Sequence, residues 1–170
     1  MKALILAAGA GLRLRPLTDA TPKALLPVGG VPMLERVAAR LQAAGVHEFA
    51  VNAHHHADQI ADFCAGLARR LGARILVSRE DGLLLDTGGG LKQAARLLDG
   101  GRAFLGGGPF FLHNADVLSD LDLDALALAH ARSGALATLA CRKRDSGRSL
   151  MFSPSGLFLG RQDEIGRAHV

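Results

Sequence analysis

Gly9, Gly11, Arg13, Arg15 and Lys23 lie close together in the stretch Leu6-Ala7-Ala8-Gly9-Ala10-Gly11-Leu12-Arg13-Leu14-Arg15-Pro16-Leu17-Thr18 and the Thr21-Pro22-Lys23 just after it. Glycine lets backbone N–H groups approach an anion with no Cβ in the way. Arginine and lysine add the charge that phosphate oxygens attract. The residues before them, Lys2–Leu6, form a short apolar run that reads as a buried strand. A strand that turns through two glycines into three cations points to a nucleoside-triphosphate site on the first loop of an α/β domain. The plainer reading is a glycine-rich turn with solvated charges. A P-loop is excluded, because no Gly-Lys-Ser/Thr follows Gly11. A dinucleotide-binding turn wants glycine or alanine where this chain has Leu14. It also wants a helix at once, where Pro16, Pro22 and Pro27 keep the backbone extended or turning.

Three later stretches carry further candidates. Pro109–Leu112 is strongly apolar, reads as a strand, and ends in His113-Asn114-Ala115-Asp116. A carboxylate just past a buried strand and beside a phosphate loop suits Mg2+. Asp86-Thr87-Gly88-Gly89-Gly90 precedes a helical pattern at Leu91–Leu98, so a glycine turn leads into free helix N–H groups. The alternative there is a helix cap with flexible glycines. Asn52-Ala53-His54-His55-His56 follows another strand, with Asn52 and His54 as cleft-lining candidates and His56 nearer a helix start. Consecutive histidines point in different directions and share one metal poorly, so zinc is not the reading. No Cys-x-x-Cys, His-Glu-x-x-His or Gly-x-Ser-x-Gly occurs. Asp120, Asp122 and Asp124 fit a helix start better than a metal cluster.

The elements that position these residues follow from periodicity. Strands are expected at Ala3–Leu6, Glu48–Val51, Ala73–Val77, Pro109–Leu112 and Ala135–Ala140. Helices are expected at Met33–Ala44, Ala57–Leu71, Leu91–Leu98 and Leu123–Ala131. Pro32 suits a first helical turn, and Gly45 and Gly72 read as stops. Val28–Val31 closes the first loop, Asp99–Gly108 reads as a surface turn, and Ser149–Ser153 with Leu157–Gly160 reads as a hairpin. Strand alternating with helix argues for right-handed crossovers and a mostly parallel sheet covered on both faces. Ligands in such sheets sit beyond the carboxyl ends of the strands, where the first loop, the Asn52–His56 loop and the Arg79–Gly90 segment project.

Leu6–Lys23 resembles the signature of the sugar-1-phosphate nucleotidyltransferases, the NDP-sugar pyrophosphorylases. That signature runs Leu-Ala-Ala-Gly-x-Gly-Thr-Arg-Leu-x-Pro-Leu-Thr and then Pro-Lys; this chain departs from it at Leu12. The resemblance extends through Asp116 and more weakly to about Gly160, and is greatest to the N-acetylmuramate-1-phosphate uridylyltransferase and mannose-1-phosphate guanylyltransferase branch. It implies a three-layer α/β/α Rossmann-like nucleotide-diphospho-sugar transferase fold, incomplete at the C-terminus. It implies transfer of a nucleotidyl group from a nucleoside triphosphate to a sugar 1-phosphate, with Mg2+ as cofactor. Leu6, Ala7, Ala8, Gly9, Ala10 and Gly11 would then cradle the nucleotide, and Thr87 and Gly88 would touch base or ribose. Asn114 would join them, Arg13 would neutralise the outer phosphates, Lys23 would bridge the reacting phosphates, and Asp116 would hold the metal. Arg15 is a weaker candidate that suits a structural ion pair. A domain of the same fold that senses nucleotide or sugar phosphate without turnover is the alternative, and a nicotinamide-dependent oxidoreductase is disfavoured by Leu14.

At 170 residues the chain suits one domain, read as 1–164. Ile165-Gly166-Arg167-Ala168-His169-Val170 matches the peptide encoded by a common sequencing-library adapter and reads as a non-native tail at 165–170. Net charge is +4. The basic residues are scattered apart from the first loop, and there is no Trp or Tyr, so small anions rather than nucleic acid are the expected partners. Arg142–Arg148 reads as a solvated turn. No apolar run is long enough for a membrane, and residues 1–7 are strand-like rather than a signal peptide; a cytoplasmic protein is expected. Cys64 and Cys141 are expected to be buried reduced thiols.

Overall fold

Lys2–Leu6 forms β1, an interior strand of the main sheet, and the apolar run Ala3–Leu6 suits that place because both faces of the strand are covered. In this computed structural model the described residues are 1–82, 85–99, 102–103, 108–142, 149–162 and 168–169. They fall into two units, Met1–Ala127 and Leu128–Val170.

In the first unit, β1 is followed by a short hairpin of β2 (Pro27–Val28) and β3 (Val31–Pro32), then by helix α1 (Met33–Ala43). Strand β4 (Glu48–Ala53), helix α2 (Ala57–Leu71) and strand β5 (Arg74–Arg79) come next. Helix α3 (Asp86–Ala94) precedes a two-residue pair, β6 (Leu98–Asp99) with β7 (Arg102–Ala103), and then β8 (Phe110–Asn114). The order in the sheet is β5-β4-β1-β8, with every pairing parallel. The chain thus steps outward from β1 to β5 and returns to the other side of β1. That reversal makes a topological switch point, the place where open α/β sheets leave a crevice.

Alternation along β1 sorts the core. Ala3 and Ile5 face α1 and α2 with Phe49, Val51, Leu34, Val37, Leu41, Ile60 and Leu67. Leu4 faces the other way with Ala50 and Ala94, against Leu91 and Phe110. Helices therefore cover both faces, and the three-layer α/β/α expectation holds. Phe49 is fully buried, and cutting such a side chain to alanine costs about 3–5 kcal/mol. Gly45 and Gly72 stop α1 and α2 with φ of 81° and 57°. Beyond each, the next amide donates back into the last turn (Val46 to Leu41, 3.1 Å; Ala73 to Ala68, 3.0 Å).

Helix α4 (Leu123–Ser133) starts in the first unit, where Asp122 accepts the Ala125 amide at 2.9 Å as its cap. In the second unit, β9 (Ser149–Phe152) and β10 (Phe158–Gln162) form the expected hairpin, and β11 (Ala168–His169) pairs with β10. Phe152 and Phe158 meet edge-to-face with centroids 5.7 Å apart.

Three expectations are corrected. Ala135–Ala140 is not a strand: no described strand pairs with it, and Leu136 and Leu139 are exposed. The third helix begins at Asp86 and ends at Ala94 rather than spanning Leu91–Leu98, so the triple glycine lies inside it. Cys141 is exposed, although both cysteines are free. Residues 143–148, most of the Arg142–Arg148 turn, lie outside the described residues, as do 104–107 of the glycine-rich turn and 163–167, which include the boundary expected at 164. Among the described residues no helix is long and apolar enough to cross a membrane.

Burial pushes the Cys64 thiol up from 9.0 to about 12. Cys141 is therefore expected to react with a disulfide reagent in the native protein, while Cys64 reacts only after denaturant unfolds the chain. The fold holds the Cys64 proton where the unfolded chain loses it. Its contribution to stability is intact below pH 9 and is lost as pH rises toward 12. Melting temperatures measured across that range should fall, and should fall less steeply for Cys64→Ala.

Candidate functional site

A cavity of about 320 Å³ opens at the carboxyl ends of β1 and β8. Leu6 pairs with Asn114 on one side and Asn52 on the other, so three strands end level. The walls are Leu6–Gly9, Gly11, Lys23 and Ala24 from the first loop, Asn52 from β4, Asp86 and Thr87 from α3, and Asn114–Asp116 after β8.

The first loop is held by its own residues. Gly11 has φ 64°, and a Cβ there would come 2.8 Å from the Thr18 methyl and 3.1 Å from Lys23 Cβ. Thr18 is buried, and its hydroxyl donates to the Gly11 carbonyl at 2.9 Å. That bond folds the loop so that Lys23 returns beside Gly11. A Cβ on Gly9 would meet nothing within 4 Å, which leaves the backbone at Gly9 open to the cavity. Tight turns at Leu12–Leu14 and Lys23–Leu25 replace the helix that a dinucleotide site would have. Across the cavity, Lys23 Nζ donates to Asp116 Oδ2, with both side chains about one-third exposed (32% and 37%).

The back wall is a buried polar network. Asn52 Oδ1 accepts the Ala7 amide at 2.6 Å, and Asn52 Nδ2 donates to Glu80 Oε1 at 2.7 Å. Glu80, 3% exposed, uses its other oxygen to accept the Leu85 amide at 3.0 Å. The His54 ring bonds the Glu80 carbonyl at 2.7 Å. Gly90 faces this network: a Cβ would stand 2.6 Å from Asn52 Nδ2 and 2.8 Å from Glu80 Oε1. Three glycines weaken a helix by roughly 1 kcal/mol each, yet at position 90 only glycine lets α3 seat here. Asp86 opens the helix with φ 57° and accepts its neighbour's Thr87 amide at 2.8 Å.

Leu6, Ala7, Ala8, Gly9, Gly11, Lys23, Thr87, Asn114 and Asp116 are thus brought together on one cavity. Ala10 and Gly88 do not line it, and Arg13 is exposed on the turn beyond Gly11. Arg15 pairs with Asp19 at 3.2 Å, the structural ion pair anticipated for it. Asn52 lines the cavity; His54 does not, and His56 is the cap residue of α2. Sequence reasoning missed Glu80 and Ala24, and it named Asp86 and Ala115 only as members of their stretches. A buried glutamate next to a strand end leaves no periodic signal, since its partners come from other elements.

Residues 2–149 match the family of nucleotidyl transferases. Over 125 residues the chain is 45% identical to an N-acetylmuramate alpha-1-phosphate uridylyltransferase of Neisseria meningitidis serogroup B, covering 74% of this chain and 51% of the relative. It is 36% identical over 146 residues to a probable mannose-1-phosphate guanylyltransferase of Oryza sativa subsp. japonica, covering 85% and 39%. The chain spans about half the length of the uridylyltransferase relatives it matches. Among solved structures, HddC from Yersinia pseudotuberculosis complexed with GMP-PN superimposes with a TM-score of 0.69 at 21% identity, over 98% of this chain and 70% of that one. It is a likeness of fold.

Gly90→Ala is expected to destabilise the protein by about 1–3 kcal/mol, because backbone and buried polar groups must move apart. Gly88→Ala meets no atom within 4 Å and is expected to stabilise by up to about 1 kcal/mol as a helical glycine replaced. Urea unfolding of the two variants measures both signs.

Proposed function

We propose that this chain, which belongs to the nucleotidyl transferase family, carries the nucleotide-binding part of a sugar-1-phosphate nucleotidyltransferase. The observation that carries this reading is the meeting of Lys23 and Asp116 in a cavity that the glycine-rich loop also lines. The cavity volume lies within the roughly 300–1,000 Å³ common for small-molecule sites.

An oxygen of the sugar 1-phosphate would attack the α-phosphorus of the triphosphate. The bond from that phosphorus to the oxygen bridging it to the β-phosphate breaks, and pyrophosphate leaves. The nucleophile is already an anion, so no general base is required. The barrier is the approach of two polyanions and the charge that builds on the phosphates. The amides near Gly9 and Gly11 would receive the triphosphate. Lys23 would release Asp116 and bridge the α-phosphate and the incoming phosphate. Arg13 would reach the outer phosphates, and Thr87 and Asn114 would meet base or ribose.

Asp116 fits Mg2+ in kind, because magnesium takes one or two carboxylates and completes its shell with phosphate oxygens and water. Asp116 would hold the ion, with Asp86 the other carboxylate on the wall; bound there, it would screen the phosphate charge. The relatives at 45% and 41% identity favour UTP with N-acetylmuramate 1-phosphate, a reaction of cell-wall sugar metabolism. A reaction that consumes a nucleoside triphosphate belongs in the cytoplasm.

Calorimetry with Mg2+ and UTP, dTTP, GTP, CTP, ATP or NAD tests the reading. Tight binding of one triphosphate, weakened by Lys23→Ala, is expected; binding of NAD alone would overturn it. In a protein of the relatives' length that carries this chain, Lys23→Ala, Arg13→Ala or Asp116→Asn should each lower pyrophosphate release about a hundredfold or more. Nucleotide binding with no pyrophosphate release would leave a sensing domain of the same fold.

A further inference from the structure

Ala7 leaves β1 and lines the cavity, and Leu85 caps α3, whose Asp86 and Thr87 line it as well. Neither amide is satisfied by its own element. Ala7 donates to Asn52 Oδ1, Leu85 donates to Glu80 Oε2, and Asn52 Nδ2 joins the two acceptors by donating to Glu80 Oε1. Both side chains are 3% exposed, so water does not substitute for a lost partner. The geometry points to Glu80 as a positioning residue: through Asn52 it fixes the amide at the start of the glycine loop, and directly it fixes the first turn of α3. Glu80 thereby sets the distance between the phosphate side and the Asp86–Thr87 side of the cavity. This inference rests on the nucleotide-site reading for its consequence, but not for its geometry.

The chain of bonds is polar in one direction, which gives it a distinctive signature. Glu80 accepts at both oxygens, and a glutamine in its place can accept at only one. No rotation of the Asn52 amide group or of the introduced glutamine then restores all three bonds. Asn52→Asp together with Glu80→Gln does restore them. The introduced aspartate would accept from the Ala7 amide at one oxygen and from the glutamine side-chain NH2 at the other. The glutamine carbonyl would accept from the Leu85 amide. A side chain that merely filled space would show no such pairing.

The test is amide hydrogen exchange at Ala7 and Leu85, beside calorimetry with the triphosphate the protein binds. In Glu80→Gln at least one of the two amides is expected to exchange about tenfold faster or more, and triphosphate affinity to fall about tenfold. Asn52→Asp/Glu80→Gln is expected to return both amides to native protection. Unchanged exchange at both Ala7 and Leu85 in Glu80→Gln, unchanged affinity despite faster exchange, or a double variant no better protected than the single would each overturn the assignment. Should Glu80→Gln not fold, a folded and protected double variant supports it, and failure of both to fold overturns it. A native protein that binds no triphosphate would refute the reading of the cavity, while the exchange data would still decide the clamp.

Discussion

Parallel pairing of β1 with a neighbour on each side is the constraint from which the site follows. Strands in a sheet lie about 4.8 Å apart, so the ends of β4, β1 and β8 fall within roughly 10 Å of one another. Registration puts Leu6 between Asn52 and Asn114, and the ladder runs one bond further, from the Ala115 amide to the Leu6 carbonyl at 2.9 Å. The glycine loop, the Asn52 amide group and Asp116 are neighbours because the backbone pairing leaves them no other place. Their types would mean little if the strands ended at different heights.

The cavity combines two kinds of polar contact. Asn52 and Glu80 are buried and saturated, and breaking such bonds leaves donors or acceptors with no water to turn to. Lys23 and Asp116 are partly exposed, and pairs of that kind contribute between zero and about 1 kcal/mol. The first kind makes a frame; the second is cheap to exchange for other partners of the same charge. On the proposed reading, with two polyanions to receive, both kinds are needed, since stiff walls keep the geometry while the charges are free to re-pair.

Much of this was legible in the sequence because the signals were local. Ala57–Leu71 shows its helix in the spacing of Ile60, Cys64 and Leu67 and its stop in Gly72. The loop from Gly9 to Lys23 shows the glycines and the lysine that line the cavity in residue types alone. What stayed hidden depended on distant partners. Triple glycine argues against a helix, and only the fit of Gly90 against Asn52 and Glu80 explains why α3 carries a glycine there. Ala135–Ala140 has strand-like residues, but a strand exists only where another strand offers hydrogen bonds. Glu80 and Cys141 needed burial to be interpreted, and neither lies in a pattern that reveals it.

The position of β1 also governs the order in which the molecule can be made. It is synthesised before either strand that it pairs with, and the second of them, β8, leaves the ribosome about a hundred residues later. Chains grow at roughly 5–20 residues per second, so for several seconds the nascent protein holds β1, β4 and β5 with one edge of β1 bare. An unpaired edge of apolar strand is a template for pairing with another chain. The cavity, which needs Asn114 and Asp116, is among the last features to be completed. Its assembly is thus a report that the sheet has closed on the correct partner.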